Sequence, residues 1–572
     1  MSRDDIQSRR DFLKTAGMGS AVLALSGMAN WQCTPPKKRP NILFLFSDDQ
    51  RFDTIEALDN PHIHTPHLNR LVKRGITFTR AHIMGGTSGA VCMPSRAMVL
   101  TGRTLFHIYN RGASIPEEHV MFPEFLKKEG YTTFGTGKWH NHRSSFARCF
   151  SDGGKIMFGG MSDHLKVPVY DFDITGEYAK NNESTADKFS SELFSNEAIS
   201  FIKNRKSDLP FCLNVSYTAP HDPRMAPKEY QDLYPTETVQ LPGNFIPEHP
   251  FDNGELGVRD ENLASFPRTE EEIKKHISGY YAMITHLDAQ IGQILDALEE
   301  SGISKDTIIV FSGDNGLAVG QHGLLGKQNI YDHSVRVPLI FAGPGIPQDI
   351  RSDTLCYLLD IYPTLFELLG FPIPESVEGI SLVPAIKNSK KKIRESVFLA
   401  YRHLQRGVRT NDNWKLITYN VRGKETTQLF DLNNDPWEKK NLAFDPSSKN
   451  QLDRLMARLK AHMNELDDFC DLNKPNWGLP EEKYAVTKVQ HLGVGKPVKL
   501  LNDATPKYSL NGAEVLVDGF LASTKFNDGY WVGLHGEDLD VVVDLGKTYS
   551  LRKISVNFLE NQESWIFLPD SF

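Results

Sequence analysis

Hydrophobic residues in this chain gather into short unbroken runs and into helical stripes, with polar tips between them. Asn41-Ile42-Leu43-Phe44-Leu45-Phe46-Ser47, after Pro40, is apolar on both faces, the pattern of a strand in the middle of a parallel sheet. Thr307-Ile308-Ile309-Val310-Phe311 and the stretch from Leu209 to Tyr217 repeat it. From His276 to Glu300 the period becomes helical: Ile277, Tyr280, Ile284, Leu287, Ile291, Ile294 and Leu298 share a face, and Gly302 stands where a C-cap glycine ends such a helix. His286 and Asp288 fall inside it and read as structural. Val120 to Glu129 is helical in period and stops at Gly130. Tyr131 to His140 then reads as a strand with a polar tip, and Leu355 to Gly370 as a helix.

Beyond Glu395 the runs shorten. Val397–Tyr401, Gly407–Arg409, Trp414–Tyr419 and Gln428–Leu432 predict a small antiparallel sheet, closed by a helix from Lys449 to about Leu466. Pro475, Gly478, Pro480 and Pro497 punctuate a linker over 471–507. Val515–Gly519, Trp531–Leu534, Leu539–Lys547 and Ser564–Pro569 predict strands in a tail over 508–572. The expected fold class is α/β: a central, mostly parallel sheet flanked by helices over 40–345, with the small antiparallel sheet as a subdomain over 346–470.

Composition narrows the function. With 572 residues, 40% of them hydrophobic, the chain exceeds one ordinary domain. Its net charge of −8 comes from 64 basic and 72 acidic residues without a long basic block, which argues against nucleic acid as a partner. Six cysteines in such a length are not a disulfide framework. Cys149, Cys212, Cys356 and Cys470 read as buried thiols or as one or two bridges. Residues 1–39 resemble an export signal. Ser8-Arg9-Arg10-Asp11-Phe12-Leu13-Lys14 is similar to the twin-arginine consensus, and the run from Thr15 to Ala29 is too short and too rich in Gly and Ser to span a membrane. A basic amphipathic N-terminal helix is the alternative. The expectation is a periplasmic or secreted protein, delivered by the twin-arginine translocase and free of a transmembrane span once mature. Cys33 offers a lipoprotein anchor as a variant of that reading.

Candidate chemistry sits at the strand ends. Asp48 and Asp49 follow the first strand, and Asp314 and Asn315 follow the strand from Thr307. Ligands in open α/β sheets bind beyond the carboxyl ends of strands. These residues make an all-oxygen set that suits a hard divalent cation, Ca²⁺ better than Mg²⁺. Taken singly, the acids would read as a solvated loop pair. Cys92 precedes Pro94 in what reads as the first turn of a helix, with Arg96 one turn on. Free N–H groups and a guanidinium there favour an anion, although a lone cysteine more often packs as a small hydrophobe. Lys138 and His140 alternate onto one face if their segment is extended. His221 is locked between Pro220 and Pro223 after a strand, and Lys327 lies in a glycine-rich loop with His322, which reads equally as a ligand contact or a turn residue. Asp222, Arg224 and His107 are weaker candidates for substrate contact.

Cys92-Met93-Pro94-Ser95-Arg96, followed by Thr101-Gly102, resembles the signature of the type I sulfatases, of the alkaline-phosphatase-like superfamily. Gly137-Lys138-Trp139-His140, Pro220-His221-Asp222-Pro223, Arg336-Val337-Pro338, Asp360-Ile361-Tyr362-Pro363-Thr364 and the run from Asp435 to Leu442 are similar to further family elements, so the resemblance spans about 40–470. It implies an alkaline-phosphatase/sulfatase-like fold and a Cys92 oxidised to formylglycine by a formylglycine-generating enzyme. It also implies Ca²⁺ held by Asp48, Asp49, Asp314 and Asn315 together with the modified residue 92. The hydrated aldehyde would attack sulfur, Lys138 and Lys327 would take up charge on the sulfate oxygens, and His221 would protonate the leaving alcohol. His140 would deprotonate the second hydroxyl to expel sulfate, while Arg96 holds the nucleophile and the helix cap. The tail resembles part of a discoidin-type, galactose-binding-like β-sandwich and reads as a truncated one. Export and such a tail point to a sulfated carbohydrate substrate. The alternatives are a phosphonate monoester or phosphodiester hydrolase of the same superfamily, and a non-catalytic glycan-binding protein.

Overall fold

The computed structural model describes residues 39–421, 423–479, 487–502, 512–521, 531–534 and 538–559. The twin-arginine stretch, Cys33 and the strand expected over Ser564–Pro569 lie outside them.

The run after Pro40 forms β1 (Asn41–Ser47), every residue of it buried. Its side chains alternate between two cores. Ile42, Phe44 and Phe46 pack with Met98, Val99 and Tyr362 on one face. Leu43 and Leu45 pack with Phe194, Ile284 and Ile291 on the other. Burial of each is worth about 1.5–3 kcal/mol, which is why a strand with no polar face is stable only here. Helix α1 (Pro66–Arg74), strand β2 (Gly75–His82) and helix α2 (Cys92–Thr101) follow, then β3 (Thr132–Lys138), β4 (Asp152–Met157), α3 (Ser190–Asn204) and β5 (Phe211–Ser216). Helix α4 (Glu270–Glu300) leads into β6 (Thr307–Gly313). It starts six residues before the apolar stripe suggested. Thr269 accepts from the Glu272 amide, and Glu270, Glu271 and Glu272 fill the first turn, a capped acidic start that carries no hydrophobic signal.

Strands β7 (Arg336–Val337), β8 (Leu339–Ala342) and β9 (Ile350–Tyr357) complete a nine-stranded sheet. Its order is β7-β2-β8-β6-β1-β5-β3-β4, with β9 also paired to β2. From β6 to β4 all neighbours are parallel. β8 runs antiparallel to both β6 and β2, so the sheet is mixed at one side. Leu355–Tyr357, expected to begin a helix, ends β9 instead: Leu355 pairs with Arg80 and Tyr357 with His82. The helix α5 occupies only Ile361–Leu369. A ladder partner more than 270 positions away outweighs the local helical period.

The small sheet forms as expected from β10 (Ser396–Tyr401), β11 (Gln405–Thr410), β12 (Trp414–Val421) and β13 (Lys424–Asp431), and α6 (Lys449–Glu465) packs on it. Gly85–Gly86 extends it by pairing with Ala400 and Tyr401. The small sheet is thereby tied to the segment just before Cys92. Buried charges add a second tie: Asp332 meets Arg409 and Lys415, and Lys415 Nζ lies 2.6 Å from Glu438 Oε1.

Cys92, Cys149, Cys212, Cys356 and Cys470 are all free and buried, which removes the bridged alternative for the described residues. The tail departs from its expected strands. Val515–Gly519 begins in a 3-10 turn (Ala513–Leu516), Trp531–Leu534 is not in a strand, and only Val541–Val543 of Leu539–Lys547 is strand, against Val498–Leu500. No β-sandwich is formed among the described residues. No helix among them is long and apolar enough to cross a membrane.

Candidate active site

The sheet register sets the site. Ser47 pairs with Gly313, Phe46 with Ser216, and Gly137 with Ser216. The residues that follow, Asp48, Asp314, Lys138 and the loop to His221, therefore emerge at one level on one edge. Gly137 makes this possible. Its φ is +90°, and a Cβ there would stand 1.8 Å from the Ser216 carbonyl oxygen, so only glycine lets β3 run so close to β5.

Cys92 is the first residue of α2 and 2% exposed. Its Sγ lies 3.3 Å from His140 Nδ1 and 3.5 Å from Lys138 Nζ. Alternation along an extended segment brings these two side chains onto one thiol. Lys138 Nζ also donates to Asp48 Oδ2 at 2.5 Å. Two further residues of α2 grip the end of β6: Ser95 Oγ donates to the Asp314 carbonyl and Arg96 Nε to its carboxylate, at 2.8 Å. Arg96 reaches the Lys138 carbonyl as well, at 3.2 Å. Gly102, in a left-handed conformation with φ 67°, ends the helix by donating its N–H to Met98.

Asp49 is the second centre. Its Oδ1 accepts from Lys327 Nζ at 2.6 Å and from Asn315 Nδ2 at 2.7 Å, and its amide donates to Asp314 Oδ1 at 3.1 Å. His221 Nε2 is 3.6 Å from Asp49 Oδ2. All ten residues singled out at the strand ends and in the four motifs are thus in one cluster, buried except for the half-buried His140.

The cluster is short of ligands. Asp48 Oδ1, Asp49 Oδ2 and Asn315 Oδ1 are buried oxygens without any hydrogen-bond partner, and one donor atom each from Asp48, Cys92 and Asp314 lies within 4.8 Å of the others. Orphaned oxygens cost free energy unless a cation meets them. Burial and then the neighbouring Asp48 push the Asp314 carboxyl up to about 7. Asp48 is held well below the usual range: burial opposes ionisation, but Lys138, His221, Arg96 and Lys327 outweigh it. The donor set and its crowded negative charge fit a hard divalent cation.

A family model described as Sulfatase matches residues 40–371. The chain belongs to the sulfatase family. A second model, N-sulphoglucosamine sulphohydrolase, C-terminal, matches residues 320–467. A sulfatase from Formosa agariphila is 29% identical over 483 residues, 77% of this chain and 92% of the relative. An ulvan-active sulfatase from the same organism is 29% identical over 454 residues, 75% and 82% of the two chains. Among solved structures, one of a protein in complex with its substrate D-glucosamine-2-N,6-O-disulfate superposes with a TM-score of 0.66 at 22% identity, covering 77% of this chain and all (100%) of that one.

The chain is accordingly a sulfuric ester hydrolase, and its remaining candidates sort cleanly. In this sulfatase His322 is buried: its ring stacks on Tyr331 at 4.0 Å, its carbonyl accepts from His249, and its Nε2 has no hydrogen-bond partner. His107 bridges Glu378 and Asp467. Arg224 NH1 contacts His276 Nδ1 at 2.6 Å. Asp222 does border the site: its Oδ1 lies 3.2 Å from His221 Nδ1, and Arg259 holds it at 2.6 and 3.0 Å. Asp288 is structural as expected, accepting from the first amides of α1 at His67 and Leu68. Tyr280, which the sequence places only in the core, donates to the Asp49 carbonyl at 2.5 Å and so helps hold that residue at its positive φ of 61°.

Proposed function

We propose that this sulfatase removes sulfate from a sulfated glycan outside the cytoplasm, using a formylglycine made from Cys92 and a Ca²⁺ ion held by Asp48, Asp49, Asp314 and Asn315. One observation carries the reading. The Cys92 thiol lies within reach of both His140 and Lys138, beside the carboxylates of Asp48 and Asp49, each of which keeps one oxygen without a hydrogen-bond partner. Formylglycine at residue 92 would supply a hydrated aldehyde as nucleophile, and the cation would supply positive charge beside the sulfate oxygens.

The chain's own residues do the rest. Burial, then Lys138 and Arg96, holds His140 well below the usual imidazole range. It is therefore neutral near pH 7 and placed to take a proton from the group at position 92. Lys327 is held well above its ordinary value, because Asp49, Cys92 and Asp48 outweigh its burial. It remains an ammonium and, with Lys138, faces the sulfate oxygens. His221, with Asp222 against its Nδ1, gives a proton to the leaving alcohol. Arg96 ties α2 to Asp314 and Lys138, so nucleophile, cation ligands and charge donors share one rigid frame.

The relatives support the substrate class: one is named for activity on ulvan, another is an N-acetylglucosamine-6-O-sulfatase from Bacteroides thetaiotaomicron. Export through the twin-arginine translocase rests on Arg9-Arg10 and the residues around them, and maturation of Cys92 by a formylglycine-generating enzyme would precede it. The test assays the matured enzyme on para-nitrophenyl sulfate, on a phosphodiester of the same phenol, and on defined sulfated mono- and disaccharides. The expected result is sulfate turnover far above phosphodiester turnover, with at least one sulfated sugar exceeding the aryl ester. Faster phosphodiester turnover would overturn the reading.

A further inference from the structure

His164 belongs to none of the motifs. It lies in the loop that leaves β4 after Met157, and that loop touches both histidines of the site. At Gly160 an added Cβ would stand 3.0 Å from Cε1 and 3.1 Å from Nε2 of His140, so the main chain lies directly against that ring. Four residues further on, His164 Nε2 is 2.9 Å from the carbonyl oxygen of His221.

The hydrogen bonds around His164 admit one proton arrangement. A carbonyl only accepts, so Nε2 carries the proton and donates to His221. Burial holds the imidazole below its ordinary value, and the ring is neutral. Nδ1 then accepts, and its partner is Ser190 Oγ at 2.7 Å. Ser190 Oγ in turn accepts from Thr218 Oγ1 at 2.9 Å. The ring is 1% exposed and lies on Phe189, with centroids 5.2 Å apart and planes 5° from parallel. Its position, plane and tautomer are therefore all set, as they are for groups that orient a reacting side chain from behind. His221 is consequently held on both sides of its own peptide, because its amide donates to the Thr218 carbonyl at 3.0 Å.

We infer that His164 is a positioning residue for His221, and that the loop from Phe158 to Lys166 sets the placement of both site histidines together. The inference rests on His221 being the acid that protonates the leaving alcohol. A general acid matters more the poorer the leaving group, since a stable phenolate departs without a proton. Misplacing the acid alone therefore costs more on esters of weakly acidic phenols.

The test measures kcat and KM for para-nitrophenyl, phenyl and para-methoxyphenyl sulfate, with wild type, His164→Ala, His164→Gln, Ser190→Ala and His221→Ala. His164→Ala is expected to lower kcat about 10- to 100-fold on the para-methoxyphenyl ester but no more than about 3-fold on the para-nitrophenyl ester, with KM little changed. His164→Gln, whose amide can still donate to the carbonyl, should recover most of the loss. Ser190→Ala, which frees the tautomer, should show the same slope in smaller measure, and it carries the comparison if His164→Ala does not fold. An equal loss on every leaving group overturns the inference. If His221→Ala depends on the leaving group and His164→Ala does not, this inference alone falls. If His221→Ala is also independent of the leaving group, the acid assignment falls with it.

Discussion

Lys138 Nζ lies 2.5 Å from Asp48 Oδ2, and neither side chain is accessible to solvent. A buried pair of this kind is a weak source of stability, because desolvating two charges offsets their attraction. Asp48 also keeps its second carboxylate oxygen without a partner. The pair makes sense as one half of a larger arrangement, in which lysine and a cation share a group of carboxylates around Cys92.

Cation removal should expose that dependence. Chelation by EDTA is expected to abolish activity and to lower the thermal midpoint. Ca²⁺ should restore both better than Mg²⁺ does, since the set of oxygen donors suits the larger ion. At a cation concentration of about 100 times Kd the stabilisation is about 2.7 kcal/mol. Differential scanning fluorimetry with added Ca²⁺ reads it, and an unchanged midpoint would contradict the assignment of Asp48, Asp49, Asp314 and Asn315.

If the proposed chemistry holds, Cys92→Ala removes the precursor of the nucleophile while taking only a small atom from the core. The expected loss in kcat is at least about 1,000-fold, with an unchanged circular-dichroism spectrum. A variant retaining a tenth of the activity would show that residue 92 does not perform the reaction.

Gly137→Ala tests the frame and not the chemistry. Its positive φ and the Ser216 carbonyl oxygen 1.8 Å from the added Cβ force β3 and β5 apart. A stability loss of about 2 kcal/mol or more is expected, together with reduced kcat as Lys138 moves away from Cys92. Denaturant midpoints and steady-state rates measure the two effects.

The ties to the small sheet make a separate prediction. Asp332→Asn leaves Arg409 and Lys415 with less compensating charge in the interior, at an expected cost of about 3–5 kcal/mol. Burial opposes ionisation of Asp332, but Arg409, Lys415 and Arg336 outweigh it and hold the carboxyl well below its ordinary value. A depressed folded-state value means stability that is fully present above the unfolded value of about 3.9 and lost as pH falls through the folded one. The deficit of the variant should therefore be constant from about pH 7 to about pH 5 and shrink below about pH 4. Urea titrations across that range measure it.

Much of this is legible in the sequence. A strand apolar on both faces reads as central, which puts the acids after Ser47 and Gly313 at carboxyl ends of central strands; that the two strands are neighbours is shown by the register. The Cys92 string carried its own geometry, since Ser95 and Arg96 fall on the turn that meets Asp314. Other features depend on partners far away in sequence. His164 finds the His221 carbonyl 57 positions on, and a lone histidine in a loop carries no local sign of that. Tyr280 reads as one more apolar position of α4 until its hydroxyl meets Asp49. Leu355–Tyr357 has a helical period but completes a ladder with β2. In the tail, alternating apolar residues suggested strands. The described parts form a two-residue and a three-residue pairing.

The most direct test of the account is the mass of the peptide containing residue 92, taken from enzyme that is active on para-nitrophenyl sulfate. The account predicts a peptide lighter than the cysteine form by the exchange of a thiol for an aldehyde, in a fraction that rises in step with specific activity across preparations. Full activity in enzyme whose residue 92 remains an unmodified cysteine would contradict it.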